Sequence, residues 1–234
     1  MHEIGLYGRV ARKKSLVNKP NRAKRIQYAK TMIEKPFGYW KDVLWSDESK
    51  FNLFGSNGKI MVWPSKGEEF SPQCTVPTVK YQGGSVMVWG CFSRRGVGNL
   101  HFIEGTMDRF VYREILENNL IQSAKKLAIS GKIAFQHDND PKHTAAVAKN
   151  WLKKKNIELI KWPPSSPDLN PIEHMWDELE RRMKKHQPKN KDELKRCLLQ
   201  EWLAIGPDVI EKLVDSVPNW LYECLRMKGY PTRY

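Results

Sequence analysis

The sequence predicts a mixed α/β fold, one sheet flanked by helices, on three observations. Strand-period runs fill much of the first half of the chain. From residue 108 onward, helical stretches alternate with short apolar runs. And 234 residues are enough for one sizeable core. No internal repeat and no low-complexity tract interrupts this pattern.

Residues 1–20 are basic, glycine-containing and without periodicity, and read as a linker. Ala23, Ile26, Ala29 and Ile33 then recur at helical spacing over 21–34. In "VLWSDESKFNLF" (43–54) the period changes to two: Val43, Trp45, Phe51 and Leu53 share one face, and Ser46, Glu48, Lys50 and Asn52 fall on the other, the wet side. "KIMVWP", "SVMVWGCFS" and "NLHFIE" read as further strands. Gly83, Gly84, Gly90, Gly96, Gly98 and Gly105 crowd this hairpin-like region, as glycines do at bulges and close backbone approaches. Asp108 suits the N-cap of a helix running to about Ile129. "KIAFQH" is a short buried strand, "TAAVAKNWLKKKN" a helix and "IELIKW" another strand. After the Pro-punctuated "PPSSPDLNP", the residues Ile172, Met175, Trp176, Leu179 and Met183 form an apolar helical stripe, and 190–228 hold two or three more helices.

Composition narrows the function. Forty Lys and Arg against 26 Asp and Glu leave a net charge of +14, with pI near 9.6. A cation of that size expects a polyanion, nucleic acid first. Cys74, Cys91, Cys197 and Cys224 include no C-x-x-C pair, which argues against a zinc site and a disulfide framework and for reduced thiols inside a cell. The N-terminus has no apolar signal region, and the longest apolar run, near Val86–Phe92, is too short to span a bilayer.

Three acids carry the chemistry. Asp47 alternates onto the apolar face of its strand, where a carboxylate is costly unless paired; a buried ion pair would also explain it. Asp138 ends a strand, where ligands collect in α/β sheets, although "DNDP" can equally form an Asx turn with Asp140 or His143 bonding locally. Glu173 opens the stripe helix three residues after the N-cap Asn170, with Pro171 at the first helical position, so a capping box competes with any functional role. Asp177 and Glu180 follow on roughly the same face. Carboxylates from two strands and one helix can converge on two Mg²⁺ ions for in-line displacement at phosphorus, and hard oxygen ligands suit that ion.

The stretches "VLWSDESKFNLFG", "GGSVMVWGCFS", "FQHDNDPKHT", "WPPSSPDLNPIEHMW" and "KGYPTRY" run in order over essentially residues 5–234. Together they resemble the catalytic region of mariner-type cut-and-paste DNA transposases, close to the Sleeping Beauty group. The 34 residues between Asp138 and Glu173 equal the spacing of the second and third catalytic acids in that group. The resemblance implies a ribonuclease-H-like catalytic domain over 21–234, in which Asp47, Asp138 and Glu173 bind two Mg²⁺ ions, with Mn²⁺ able to substitute, and Asp140 is a neighbour. It implies cleavage at transposon ends, joining to target DNA at TA sites, and a nuclear location.

The same resemblance makes 55–82 a clamp-like loop that meets a partner subunit, giving a homodimer on DNA. It places Gly83 and Gly84 in a strip near DNA, and the expected DNA-facing set is completed by Arg9, Arg12, Lys13 and Lys14 of the linker with Arg94, Arg95, Lys142 and His143. Pro64, where the family often has a basic residue, and Arg94-Arg95, where it has small ones, depart from the pattern. Family members carry two helix-turn-helix modules upstream, of which "HEIGLYGRVARKK" resembles the end of the second. A catalytically silent, host-adopted DNA-binding relative and a general nuclease of the same fold are the rival readings; the three intact acids and the whole-chain match favour the transposase.

Overall fold

In the computed structural model the described residues are 14, 16–53, 62–75 and 84–234. Among these residues five strands form one sheet in the order β3-β2-β1-β4-β5. β1 (Val43–Asn52), β2 (Ser85–Ser93) and β3 (Gly96–Ile103) make an antiparallel meander, and β4 (Ala134–Gln136) and β5 (Glu158–Leu159) add in parallel on the far side of β1. The central strand therefore has helices over both faces. On one face lie α1 (Lys19–Ile33), α2 (Phe37–Lys41), α6 (Pro171–Met183), α7 (Lys191–Leu203), α8 (Pro207–Asp215) and α9 (Val217–Arg226). On the other lie α3 (Arg109–Lys126), the single-turn α4 (Pro141–Thr144) and α5 (Ala146–Lys154).

β1 divides the two cores by alternation. Val43, Trp45 and Phe51 pack toward α6, while Leu44 packs with Trp89, Phe135 and Tyr112 toward α3. The expectation of a wet side for Ser46 and Glu48 is thereby corrected. Ser46 is buried, donating its hydroxyl to the Gln136 carbonyl, and Glu48 lies against α4. A strand with neighbours on both edges and helices on both faces has no wet side over this part of its length.

Other boundaries shift for identifiable reasons. α1 starts at Lys19, inside the expected linker, because the Asn18 side chain caps it by accepting from the Asn21 N–H. Its buried stripe is Arg25, Tyr28, Ala29 and Met32; Ala23 is exposed. Residues 62–64 of "KIMVWP" form no strand and 59–61 lie outside the described residues. Of the expected clamp-like loop, 62–75 form turns that leave Trp63 and Phe70 exposed, and the remainder lies outside the described residues, as do Arg9, Arg12, Lys13 and Gly83.

The glycine-rich hairpin is bulged, with the β2–β3 register shifting between Gly90 and Phe92. Gly90, opposite Asp47 in the β1–β2 pairing, admits α6: a Cβ there would lie 2.6 Å from Cη2 of Trp176 and 3.2 Å from Cδ1 of Leu100. Trp176 has nowhere to retreat, since it is buried and stacked on Trp202 at 5.3 Å. Gly90→Ala is therefore expected to cost about 1–3 kcal/mol by overpacking. That corresponds to a fall of several degrees in Tm, measurable by calorimetry. An unchanged Tm would mean α6 is seated less tightly on the sheet than these contacts require.

Candidate active site

Asp47, Asp138 and Glu173 line one cleft of about 400 Å³ at the C-terminal end of β4, together with Asn139, Asp140, Asn170 and a wall formed by Trp162 and Pro163–Pro167. Each acid arrives by a different local rule. Alternation turns Asp47 to the α6 face of β1. The end of β4 releases Asp138 into a turn, where its Oδ1 accepts the Asp140 N–H at 2.9 Å. Glu173 stands in the first turn of α6, whose N-cap is Asn170 and whose first residue is Pro171.

The capping-box alternative for Glu173 does not hold. The Asn170 N–H, which such a box would use, donates to the Pro167 carbonyl at 2.9 Å instead. Among the described residues the Glu173 carboxylate makes no hydrogen bond. The Asx turn at Asp138, by contrast, is present, and it occupies only one of the two carboxylate oxygens.

Electrostatically the cleft holds more negative charge than it stabilises. Burial, then repulsion from Glu48, Glu173 and Asp138, pushes the Asp47 carboxyl up to about 8, against one stabilising N–H from Glu48. Burial, then Asp177 and Asp138, raises Glu173. Burial would raise Asp138 too, but hydrogen bonds from His143 and the Asp140 N–H outweigh it and hold the group below its ordinary value. Three carboxylates that repel one another in a half-buried cleft are a donor set for a hard divalent cation. They share the cleft without closing on one point: among the described residues no three His, Cys, Asp or Glu are near enough to cage an ion.

The expected DNA-facing residues are placed as follows. Lys14 donates to the main-chain oxygen of Tyr234 at 2.7 Å. Gly84 adopts φ +100° beside Lys191. Arg94 is held by Asp215 at 2.7 Å and Glu211 at 3.1 Å, and Arg95 pairs with Asp42, so neither guanidinium stands free of a carboxylate. Lys142 pairs with Asp140 at 2.8 Å at the edge of the cleft. His143 is 2% exposed, which removes it from any surface that DNA could touch: α4 folds it back over Asp138.

Two positioning features were not anticipated. Asn170 does more than cap α6, because its Nδ2 also reaches Oδ2 of Asp47 across a long 3.4 Å contact, tying the start of the Glu173-bearing helix to Asp47. Behind the cleft wall, Arg25 is completely buried and spreads its guanidinium over Asp168 (2.7 and 2.8 Å), the Ser166 hydroxyl and the carbonyls of Ser165, Gly229 and Tyr230. One side chain of α1 thus fastens the "PPSSPDL" loop to "KGYPT". A charged residue recurring in phase with Tyr28, Ala29 and Met32 was the signal in the sequence.

Among the described residues, a mixed five-stranded sheet flanked by helices on both faces, with Asp47, Asp138 and Glu173 along one cleft, has the architecture of the ribonuclease-H-like class. The chain belongs to the DDE superfamily endonucleases, the family that matches residues 42–195. Its sequence relatives are transposable-element transposases. It is 45% identical over 230 residues to the Tcb1 transposase of Caenorhabditis briggsae, covering 98% of this chain and 84% of that protein. It is 43% identical to the Tc1 transposase of Caenorhabditis elegans, covering 100% and 85%. Among solved structures, the Mos1 transposase paired-end complex with left transposon end superposes with a TM-score of 0.85 at 18% identity, over 99% of this chain and 69% of that one. The catalytic domain of Mos1 mariner transposase superposes with a TM-score of 0.74 at 16% identity, over 95% and 99%.

Proposed function

We propose that this chain is the catalytic part of a Tc1/mariner-type transposase, which cuts DNA strands at transposon ends and joins them to target DNA at TA steps. In this reading Asp47, Asp138 and Glu173 together hold two Mg²⁺ ions, for which Mn²⁺ can substitute. The observation that carries it is the placement of three mutually repelling carboxylates along one cleft, in a protein of +14 charge.

When bound, the metal pair supplies Lewis acidity that makes a water or sugar hydroxyl nucleophilic and offsets charge on the leaving oxygen. The chain's own contribution is placement. Asn170 and the Glu48 N–H fix Asp47, the N-terminal turn of α6 aims Glu173, and residues Trp162–Pro167 form one wall of the cleft. Glu173 also borders a second cleft of about 410 Å³, where Lys50 and Lys184 stand beside Asp177 and Glu180, so that lysines and carboxylates alternate next to the acids. The protein works in the nucleus, as a homodimer through residues 55–82. All three acids are present, which favours this reading over a catalytically silent DNA-binding relative.

The test is cleavage of pre-nicked duplexes carrying the element's terminal repeats. Cleavage in Mg²⁺ or Mn²⁺ and none in EDTA is expected. Binding without cleavage in either metal would establish the silent relative instead.

Charge also sets the DNA affinity of these 234 residues. Phosphate contacts position a protein without reading sequence. Binding to arbitrary duplex is therefore expected with Kd on the order of 10⁻⁴–10⁻⁶ M at physiological salt, weakening steeply as salt rises. Competition between a terminal-repeat duplex and a scrambled one, at two salt concentrations, measures it. A preference above about a hundredfold, or ~3 kcal/mol, would show that these residues read bases directly.

A further inference from the structure

We propose that His143 is the positioning residue for Asp138: its imidazole holds one carboxylate oxygen from behind the cleft, so that the other is presented forward, and it links Asp138 to Glu48 on the reverse face of β1. The inference rests on the reading of Asp138 as a metal ligand.

The geometry is specific. His143 Nδ1 lies 2.6 Å from Asp138 Oδ1, the same oxygen that accepts the Asp140 N–H. With two donors on Oδ1, the carboxylate cannot swivel, and Oδ2 has no hydrogen bond among the described residues. The ring that delivers this contact is itself clamped. The face of Tyr112 lies 4.0 Å away, centroid to centroid, and His137 stacks at 5.3 Å with 18° between planes. The Tyr112 hydroxyl bonds His137 Nδ1 at 2.8 Å, closing a buried three-ring cluster.

On its far side, His143 Nε2 lies 3.4 Å from Glu48 Oε2. Nε2 and Glu48 Oε1 are both buried without a hydrogen-bond partner among the described residues. Glu48 is thus the carboxylate placed to take the second ring nitrogen. Because Asp47 and Glu48 are consecutive in a strand, β1 sends one acid into the cleft and the next to its rear. The chain reaches this arrangement through α4 alone: Asp140 caps it, and one turn brings position 143 back over position 138. Groups that orient a ligating carboxylate in this way typically change metal affinity or activity by 10–100-fold when removed.

The test measures Mn²⁺ binding to the full chain without DNA, by electron paramagnetic resonance titration. His143→Phe keeps a ring in the stack on Tyr112 but has no donor, and His143→Gln keeps a donor without the ring. Asp138→Asn sets the floor, and thermal melting is recorded for each. The expected result is a Kd for Mn²⁺ raised about 10–100-fold in His143→Phe, with His143→Gln recovering a measurable part of the loss. Wild-type affinity in His143→Phe, or equal losses in both variants that follow their loss of melting temperature, would overturn the inference and leave His143 a packing residue. Asp138→Asn binding Mn²⁺ as well as the wild type, or a wild type that binds none, would overturn the site reading itself and this inference with it.

Discussion

Glu173→Gln is expected to reduce strand cleavage by at least about 10³-fold while leaving the protein folded, because catalytic groups that act as one unit lose most of the rate when any member is removed. The two roles open to this residue predict opposite signatures. Were Glu173 a helix-capping residue, the substitution would lower stability and spare chemistry. But the Asn170 N–H is already taken by Pro167, and the Glu173 carboxylate makes no hydrogen bond among the described residues. Burial, Asp177 and Asp138 raise its pKa, so the ionised form is disfavoured in the metal-free fold. A carboxylate with a raised folded pKa stabilises the protein at low pH and loses that contribution as pH rises through the folded value. At neutral pH the neutral amide should therefore melt at the wild-type temperature or slightly above. DNA affinity should be unchanged or a little higher, one negative charge having gone. Melting and cleavage on the same preparation separate the two roles, and a large fall in Tm would show that the fold, not the chemistry, needs Glu173.

The largest stability effect is expected at Arg25. Arg25→Ala leaves Asp168 buried without its partner and strips donors from the Ser165 and Gly229 carbonyls. Breaking a buried ion pair by removing one member costs about 3–5 kcal/mol. Arg25→Lys restores charge but not the planar fork that serves both oxygens of Asp168, and should recover only part of that. The pH dependence has a definite sign. Burial raises Asp168, but Arg25 and the Thr232 N–H outweigh it and hold the carboxyl below its ordinary value. A depressed carboxylate contributes stability above its unfolded pKa, about 3.9, and loses it as pH falls through the folded value. The gap between wild type and Arg25→Ala in urea denaturation should thus be full near pH 7 and shrink below about pH 4. A constant gap would mean that the lost carbonyl contacts dominate and the ion pair contributes little. Because Arg25 anchors the loop leading to Asn170 and Glu173, Arg25→Lys should also cut more slowly than its stability loss explains.

Much of this fold was legible in the sequence, and the failures share a cause. Periodicity located β1, β2, β3, α3 and α6, and alternation turned Asp47 inward, because those patterns depend on the segment alone. What misled was judging burial by residue type. The stripe of α1 was misplaced onto Ala23 and Ile26 because an arginine was not counted as a core residue, although 25, 28, 29 and 32 keep helical phase. Ser46 and Glu48 were assigned to solvent because polar residues opposite apolar ones suggest a one-sided sheet. The opposite face is in fact covered by α3 and α4, which are far away in sequence. His143 was placed in the DNA-facing set, although local hydrogen bonding was the open alternative, and the turn of α4 buries it against Asp138. Asn170 was recognised as a cap but not as a partner of Asp47, a contact between residues 123 positions apart. Long-range polar contacts leave no period in a sequence.

Whether Asp47, Asp138 and Glu173 hold metal is decided by anomalous diffraction from crystals equilibrated with Mn²⁺. Manganese peaks are expected inside the cleft, within direct or water-bridged reach of Asp47, Asp138 and Glu173, and should disappear in the Asp138→Asn protein. Manganese ordered elsewhere on a chain that still cleaves DNA, with the three carboxylates bare, would contradict this expectation.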